Sequence, residues 1–416
     1  MTFNDELAAF RAAHPHIASA EMFMVDLNAR LRGKTVPIEA LEKLAKGTMK
    51  MPSSTAGLDF FSEDVIGGGL AVEMGDPDGV IDPVSGTLRQ ALWADPVCAQ
   101  VQVVVRTPDG EVADYDPRNV LAEVVARAAA AGITPVMAVE QEFFLVDQAA
   151  PLPACLPSGQ RLSAGQVYDM DVARAMAPLT DKIIAASTAL GAPPEAIVTE
   201  YGGGQFEINL HHTDPLTACD QAIALRRAVR ETARNAGLDA TFMAKPWGDT
   251  VGSGLHLHLS VCDNDGRNLF DGRSDAPNGV MKHAIAGIVR HMPGSMLIFA
   301  PHLNSYRRFV PGFLCPVEAT WSIDNRGAAI RVPETRGKGA RIEHRVAGAD
   351  ANPYLVAAAV LAAALDGLDA KQDPPEPVSG EIRPRMAAPL PLEWGQAIAE
   401  FERSSFCAHA LGHRFR

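Results

Sequence analysis

Four separated stretches of this chain set charged or polar side chains on every second residue, with apolar neighbours between them. A period of two is the signature of a strand with one wet face and one buried face. The fold must therefore be built around strands that carry charge inward. In Val139-Glu140-Gln141-Glu142-Phe143, the two glutamates share a face. In Gln205-Phe206-Glu207-Ile208-Asn209-Leu210, the polar set follows three glycines, Gly202 to Gly204, which permit a tight bend or close approach of the backbone to a ligand. His256, His258 and Ser260 alternate with Leu255, Leu257 and Leu259, and Arg341, Glu343 and Arg345 share one side of a fourth segment. Taken singly, a Glu-x-Glu can be a solvated edge and a His-x-His a structural pair. Four such faces in one chain describe a cleft.

The rest of the pattern is α+β, and 416 residues suit more than one domain. Helices are expected over 4–13, 38–46, 119–131, 171–190, 215–236, 278–292 and 353–365. Strands are expected over 19–27, 97–106, 133–146, 197–210, 240–246 and 254–262. Arg32-Gly33-Lys34 reads as the turn after the first strand, 67–95 as loops and hairpins with short strand-like pieces, and 148–166 as a loop. A small mixed domain over 1–105 and a larger one over 106–416 follow.

Fifty acidic against 37 basic residues leave a formal charge of −13, which disfavours nucleic-acid or anionic-membrane partners. No apolar run of spanning length and no signal peptide is read, so a cytoplasmic protein is expected. The six cysteines form no CxxC pair, which argues against a disulfide framework or a thiolate zinc site. Against that acidic background, arginines concentrate near the C-terminus: Arg307, Arg308, Arg326, Arg331, Arg341 and Arg345, with Lys338 in a glycine-containing loop. Hard oxygen ligands with an imidazole suit Mg²⁺ or Mn²⁺. Guanidiniums suit phosphate and carboxylate. Together these are the parts of a phosphoryl-transfer site, without a P-loop or a Rossmann fingerprint.

In order and spacing these motifs, with Asn304-Ser305-Tyr306-Arg307-Arg308 and Asn352-Pro353-Tyr354-Leu355, resemble the glutamine synthetase family over nearly the whole chain. The resemblance implies a β-grasp-like N-terminal domain and a catalytic domain with a funnel-forming, mainly antiparallel sheet. It also implies stacked rings, most often a dodecamer, with each site completed by a neighbouring subunit. It assigns Glu142, Glu200 and Glu207 to one divalent ion and Glu140, His256 and Glu343 to another, with two or three ions per site. His258, Ser260, Lys338 and Arg341 would lie along ATP, Arg326 and Arg331 near its phosphates, and Arg308 and Arg345 near the carboxylates of glutamate. The implied chemistry phosphorylates the γ-carboxylate and then lets an amine displace phosphate.

Two positions depart from the ammonia-using pattern. Leu314, in Val310-Pro311-Gly312-Phe313-Leu314-Cys315-Pro316, stands where a flap glutamate is expected, and Arg30 stands nearest the expected aspartate, with Asp26 the only carboxylate nearby. Leucine neither accepts a proton nor attracts ammonium, so the resemblance narrows to the γ-glutamylpolyamine and γ-glutamylamide synthetase branch. The expected function is ATP-dependent ligation of glutamate to an organic amine. The rivals are a glutamine synthetase, another carboxylate–amine ligase and a non-catalytic ring protein. The chain ends at His413-Arg414-Phe415-Arg416, before the family's usual C-terminal helix.

Overall fold

The computed structural model describes residues 2–272, 274–310, 314–380 and 389–412. Part of the flap, 311–313, and the last four residues thus lie outside the described residues. In the first third, α1 (Phe3–Ala13) leads into β1 (Ser19–Val25), β2 (Leu31–Pro37), α2 (Leu41–Ala45), β3 (Lys50–Pro52), β4 (Asp78–Pro83), β5 (Arg89–Ala91) and β6 (Cys98–Val105). The six strands make one sheet in the order β2-β1-β6-β4-β3, with β5 also on β6. Its core, from Phe3 through Met22, Leu41 and Val101 to Tyr115, is separate from the large core that follows.

The larger part holds α3 (Pro117–Ala130), β7 (Thr134–Asp147), α4 (Met170–Ala189), β8 (Pro194–Thr199), β9 (Gln205–Leu210), α5 (Pro215–Asn235), β10 (Leu238–Thr241) and β11 (Leu255–Cys262). It continues with α6 (Gly279–His291), α7 (Met296–Phe299), β12 (Trp321–Ile323), β13 (Ile330–Glu334), β14 (Arg341–His344), α8 (Pro353–Ala370), α9 (Trp394–Arg403) and α10 (Ser405–Leu411). Eight strands form the second sheet, β12-β13-β14-β11-β7-β9-β8 with β10 on β7, and only β12 and β13 pair in parallel.

The alternation of the sequence becomes the two faces of this sheet. Phe143, Phe206, Ile208, Leu255, Leu257 and Leu259 are buried against the helices. Helix α8 is apolar and long enough to cross a membrane by length and composition, but 78% of that window is buried inside the protein. It packs against α6 at Gly287 and Gly367, where an added Cβ would meet backbone at 2.0 and 2.1 Å.

Arg32-Gly33-Lys34 is not a turn but the middle of β2, and the turn lies upstream. The Asp26 carboxylate accepts hydrogen bonds from the amides of Asn28 (2.9 Å) and Arg30 (2.8 Å) and from Arg32 Nε (2.7 Å), folding the chain before Arg32 is reached. The extended segment expected over 240–246 stops at Thr241.

Four side chains tie the first sheet to the helices of the larger part. Asp220 on α5 accepts a forked pair from Arg118 at 2.9 and 3.0 Å and a hydrogen bond from the Tyr354 hydroxyl at 2.6 Å, which in turn accepts from Gln102 of β6 at 2.7 Å. Tyr354→Phe leaves the buried Gln102 amide without its main acceptor and should cost about 1–3 kcal/mol. Thermal unfolding reads this as a lower midpoint; an unchanged midpoint would show that the network carries no strength.

Candidate active site

Register places the polar faces opposite one another. His256 pairs with Glu140 across β11 and β7, and Glu142 with Glu207 across β7 and β9. His258 pairs with Glu343 across β11 and β14, and Glu343 with Arg331 across β14 and β13. A slip of one residue would turn every one of these groups into the core.

All fourteen residues to which the family resemblance assigns a metal, nucleotide, phosphate or carboxylate line two adjoining cavities. The first, about 340 Å³, is bordered by Glu140, Glu142, Glu200, Glu207, His256 and Glu343 and by Arg308, Arg326, Arg331 and Arg345. The second, about 490 Å³, is bordered by His258, Ser260, Lys338 and Arg341. Glu140 and Asn209 border both.

At the junction, ligand atoms gather into two overlapping groups, Glu140, Glu207 and His256, and Glu140, His258 and Glu343, each within 4.8 Å. His256 Nδ1 is 3.4 Å from Glu140 and 3.8 Å from Glu207, and His258 Nε2 is 2.9 Å from Glu140. His256 Nδ1 is also 3.9 Å from Glu343, so this imidazole stands between Glu207 and Glu343, as the family pattern has it for Glu343, while His258, which that pattern sends to the nucleotide, gathers with Glu140 and Glu343 as well. Glu142 lies 3.8 Å from His256 Nε2, and Glu200 lines the same wall.

The electrostatics reflect this crowding. Burial, then the charges of Glu140, Glu142 and Glu200, pushes the Glu207 carboxyl well up. Burial and the Glu142 charge bring Glu200 up to about 7. Burial works against Glu140 as well, yet hydrogen bonding to His256 and His258 holds it well below the usual carboxylate range. Burial of Glu343 is likewise outweighed, by Arg345 and then His256 and His258, and its carboxyl falls to about 2. Burial and mutual repulsion together raise two of these carboxyls, so the cluster is short of positive charge. Its oxygen and imidazole donors fit hard divalent cations.

The arginines are held in fixed planes. Arg331 donates to Glu343 at 2.8 Å and to Asp324 at 2.6 Å, and Arg345 donates to Glu343 and to the Arg326 carbonyl. Arg308, 6% exposed, donates to the Val346 carbonyl at 2.7 Å. In the second cavity Arg341 Nε donates to His258 Nδ1 at 3.2 Å, and the Ser260 hydroxyl donates to the Ala340 carbonyl at 2.9 Å.

Some contributors carry no distinctive sequence signal. Gln205 donates to Glu142 at 3.2 Å and to the Gly252 carbonyl, and Asn209 donates to Glu207 at 3.0 Å. Alternation put both on the polar face, but nothing in it told positioning groups from ligands. Asp324, the partner of Arg331, has no pattern around it. The triple glycine serves the chain's own packing: a Cβ at Gly202 would meet the Phe144 ring at 2.5 Å, one at Gly203 the Leu162 carbonyl at 2.7 Å, and Gly204 has φ +77°. Leu314, half exposed with φ +54°, stands at the rim of the first cavity. Arg30 lies elsewhere, its guanidinium 4.6 Å above the Phe60 ring.

Gly254 donates its amide to Glu142 at 2.7 Å, and a Cβ there would sit 2.7 Å from His256 Nε2 and 2.8 Å from an Arg308 nitrogen. Gly254→Ala should lower Mn²⁺ affinity by about 10–100-fold, as other losses of ligand positioning do. Calorimetric titration checks this, and wild-type affinity in the variant would place cation binding away from His256.

Comparison with known proteins places the chain in a family. Residues 114–416 match the family described as glutamine synthetase, catalytic domain. The chain is 38% identical over 420 residues to γ-glutamylputrescine synthetase PuuA of Escherichia coli K12, covering 99% of this chain and 89% of that one. It is 30% identical to glutamate–isopropylamine ligase of a Pseudomonas species, covering 96% and 89%. A solved GmaS/ADP complex superposes with a TM-score of 0.87 at 27% identity, covering 98% of this chain and 92% of that one. The chain belongs to the glutamine synthetase family.

Proposed function

We propose that this member of the glutamine synthetase family is an ATP-dependent ligase joining the γ-carboxylate of glutamate to an organic amine. One observation carries the reading: a carboxylate–imidazole cluster joins a guanidinium-lined cavity to a second, cationic one, and a leucine stands at the rim of the first. The amine-ligating relatives support the same reaction class.

Enzymes of this family use ATP and divalent metals. Glu142, Glu200 and Glu207 would hold one Mg²⁺ or Mn²⁺, and Glu140, His256 and Glu343 another. The separations of the ligand atoms favour Glu140 as a ligand common to both and put His258 within reach of the second. Bound there, the ions would screen the ATP phosphates.

Arg308 and Arg345 are proposed to grip the carboxylates of glutamate, and Arg326 and Arg331 the transferring phosphoryl group. His258, Ser260, Lys338 and Arg341 would line the nucleotide. Because Arg331 and Arg345 are already braced on Glu343, positive charge stands ready where negative charge develops as the γ-carboxylate attacks the terminal phosphoryl group. Phosphorylation turns a carboxylate oxygen that cannot leave into one that leaves as phosphate. The amine then attacks the acyl carbon. Leu314 offers this amine an apolar contact and no proton acceptor.

The assembly proposed is two stacked rings, most simply a dodecamer. Phe61 and Ile66 are 80% and 88% exposed, apolar surface that suits contact with a neighbouring subunit. Cytoplasmic residence is proposed on the six free cysteines, which suit a reducing compartment.

The test supplies glutamate, ATP and Mg²⁺ with ammonium, methylamine, isopropylamine, ethanolamine or putrescine, and identifies products by mass. An organic amine should outperform ammonium by at least about tenfold in kcat/KM, about 1.4 kcal/mol of discrimination. Leu314→Glu should narrow that ratio. Ammonium as the best substrate of the wild type would overturn the reading from Leu314.

A further inference from the structure

A cavity of about 710 Å³ lies outside the catalytic cleft, where the turn after β1 meets α5 and residues 302–304. Its walls carry Arg30, Arg32, Arg226, Arg227, Arg230 and Arg234, against only Glu231 and Asp350. Three of these arginines have carboxylate partners: Arg32 pairs with Asp26 at 2.7 Å, Arg227 with Glu21 at 2.6 Å and Arg234 with Glu231 at 2.9 Å.

Among the described residues, the other three have no carboxylate at ion-pair distance. Arg30 lies over Phe60, and Arg230 lies 5.1 Å above the Phe242 ring. Arg226 is 5% exposed and gives its hydrogen bonds to neutral acceptors, the Gln141 side chain at 3.1 Å and the Ala351 carbonyl at 2.8 Å. Asp350, the remaining acid of the wall, accepts from the Ser305 hydroxyl at 2.6 Å. Even two of the paired arginines keep spare donors, since Arg32 Nη2 and Arg227 Nε are buried without a hydrogen-bond partner.

Three unmatched guanidiniums facing Asp350 leave an excess of two positive charges in a partly enclosed space. Burying a charge without compensation is costly, by several kcal/mol for each ion. The strain is visible in the arginines themselves. Burial, then the charge of Arg230, brings the Arg226 guanidinium down to about 9, and burial followed by Arg234 and Arg30 lowers Arg230. Phe60 and Phe242 back two of the guanidinium planes and leave their edges free to donate.

We propose that this cavity is a binding site for a compact dianion, inorganic phosphate or a short dicarboxylate, distinct from the catalytic cleft. Two negative charges match the excess, and both groups accept the forked hydrogen bonds that guanidinium edges offer. The site also touches the catalytic sheet, because Arg226 is bonded to Gln141, the residue between Glu140 and Glu142.

The test titrates the assembled, full-length enzyme by calorimetry with phosphate and, separately, with succinate. Phosphate can also enter the cleft, so each titration is repeated in Arg345→Gln, which weakens that competing site. Binding of either dianion should persist in Arg345→Gln, fall by at least about tenfold in Arg230→Gln through loss of one charge-assisted partner, and recover in part in Arg230→Lys. Whichever anion shows this dependence identifies the source. Arg30→Gln serves as a second variant should Arg230→Gln fail to assemble, with the same loss expected. Absence of binding by both anions, affinity indifferent to Arg230 and Arg30, or equal binding of chloride at the same concentration would each overturn the proposal.

Discussion

The repulsion among Glu140, Glu142, Glu200, Glu207 and Glu343 is the constraint on which the rest of the structure turns. Carboxylates this close do not stay together by preference; the backbone holds them there. β7 and β11 are paired over eight residues, and β9 and β14 close the sides, so each charge is fixed by main-chain hydrogen bonds rather than by its own flexible side chain. The opposing face of the sheet supplies the anchor, with Phe143, Phe206 and Leu257 sealed under α5 and α8. Two imidazoles and two arginines offset part of the charge. The raised carboxyls of Glu200 and Glu207 show that the compensation is incomplete.

Most of this cleft was legible because strand periodicity is a local property. Glu140 and Glu142, or His256 and His258, announce a shared face within a few residues, and family spacing then brings the faces together. What the sequence hid is set by single contacts over longer range. Gly33 looks locally like a breaker, yet it lies opposite Phe23 in the β1–β2 ladder, and the Asp26 carboxylate makes the bend earlier. The end of α8 came five residues late because Lys371, not glycine, supplies the left-handed cap at φ +51°. The grouping of His258 with Glu343 follows from β11–β14 register, which no spacing rule reports.

Arg30 shows the limit in another way. Alignment set it against an aspartate of the ammonium site, but within its own chain it borders a cavity built by arginines from the distant helix α5. No local pattern reveals that residues 30 and 230 face one another. The same chain therefore concentrates negative charge on one side of its catalytic sheet and positive charge near the other side, with Gln141 and Arg226 between them.

Glu140, at the meeting point of two cavities, is proposed as the ligand that two cations share. Anomalous diffraction from crystals grown with Mn²⁺ and ADP tests it directly. At least two manganese peaks are expected, both within coordinating distance of Glu140, one beside Glu207 and the other beside Glu343. Manganese bound only outside the cleft, or two peaks of which neither touches Glu140, would contradict it.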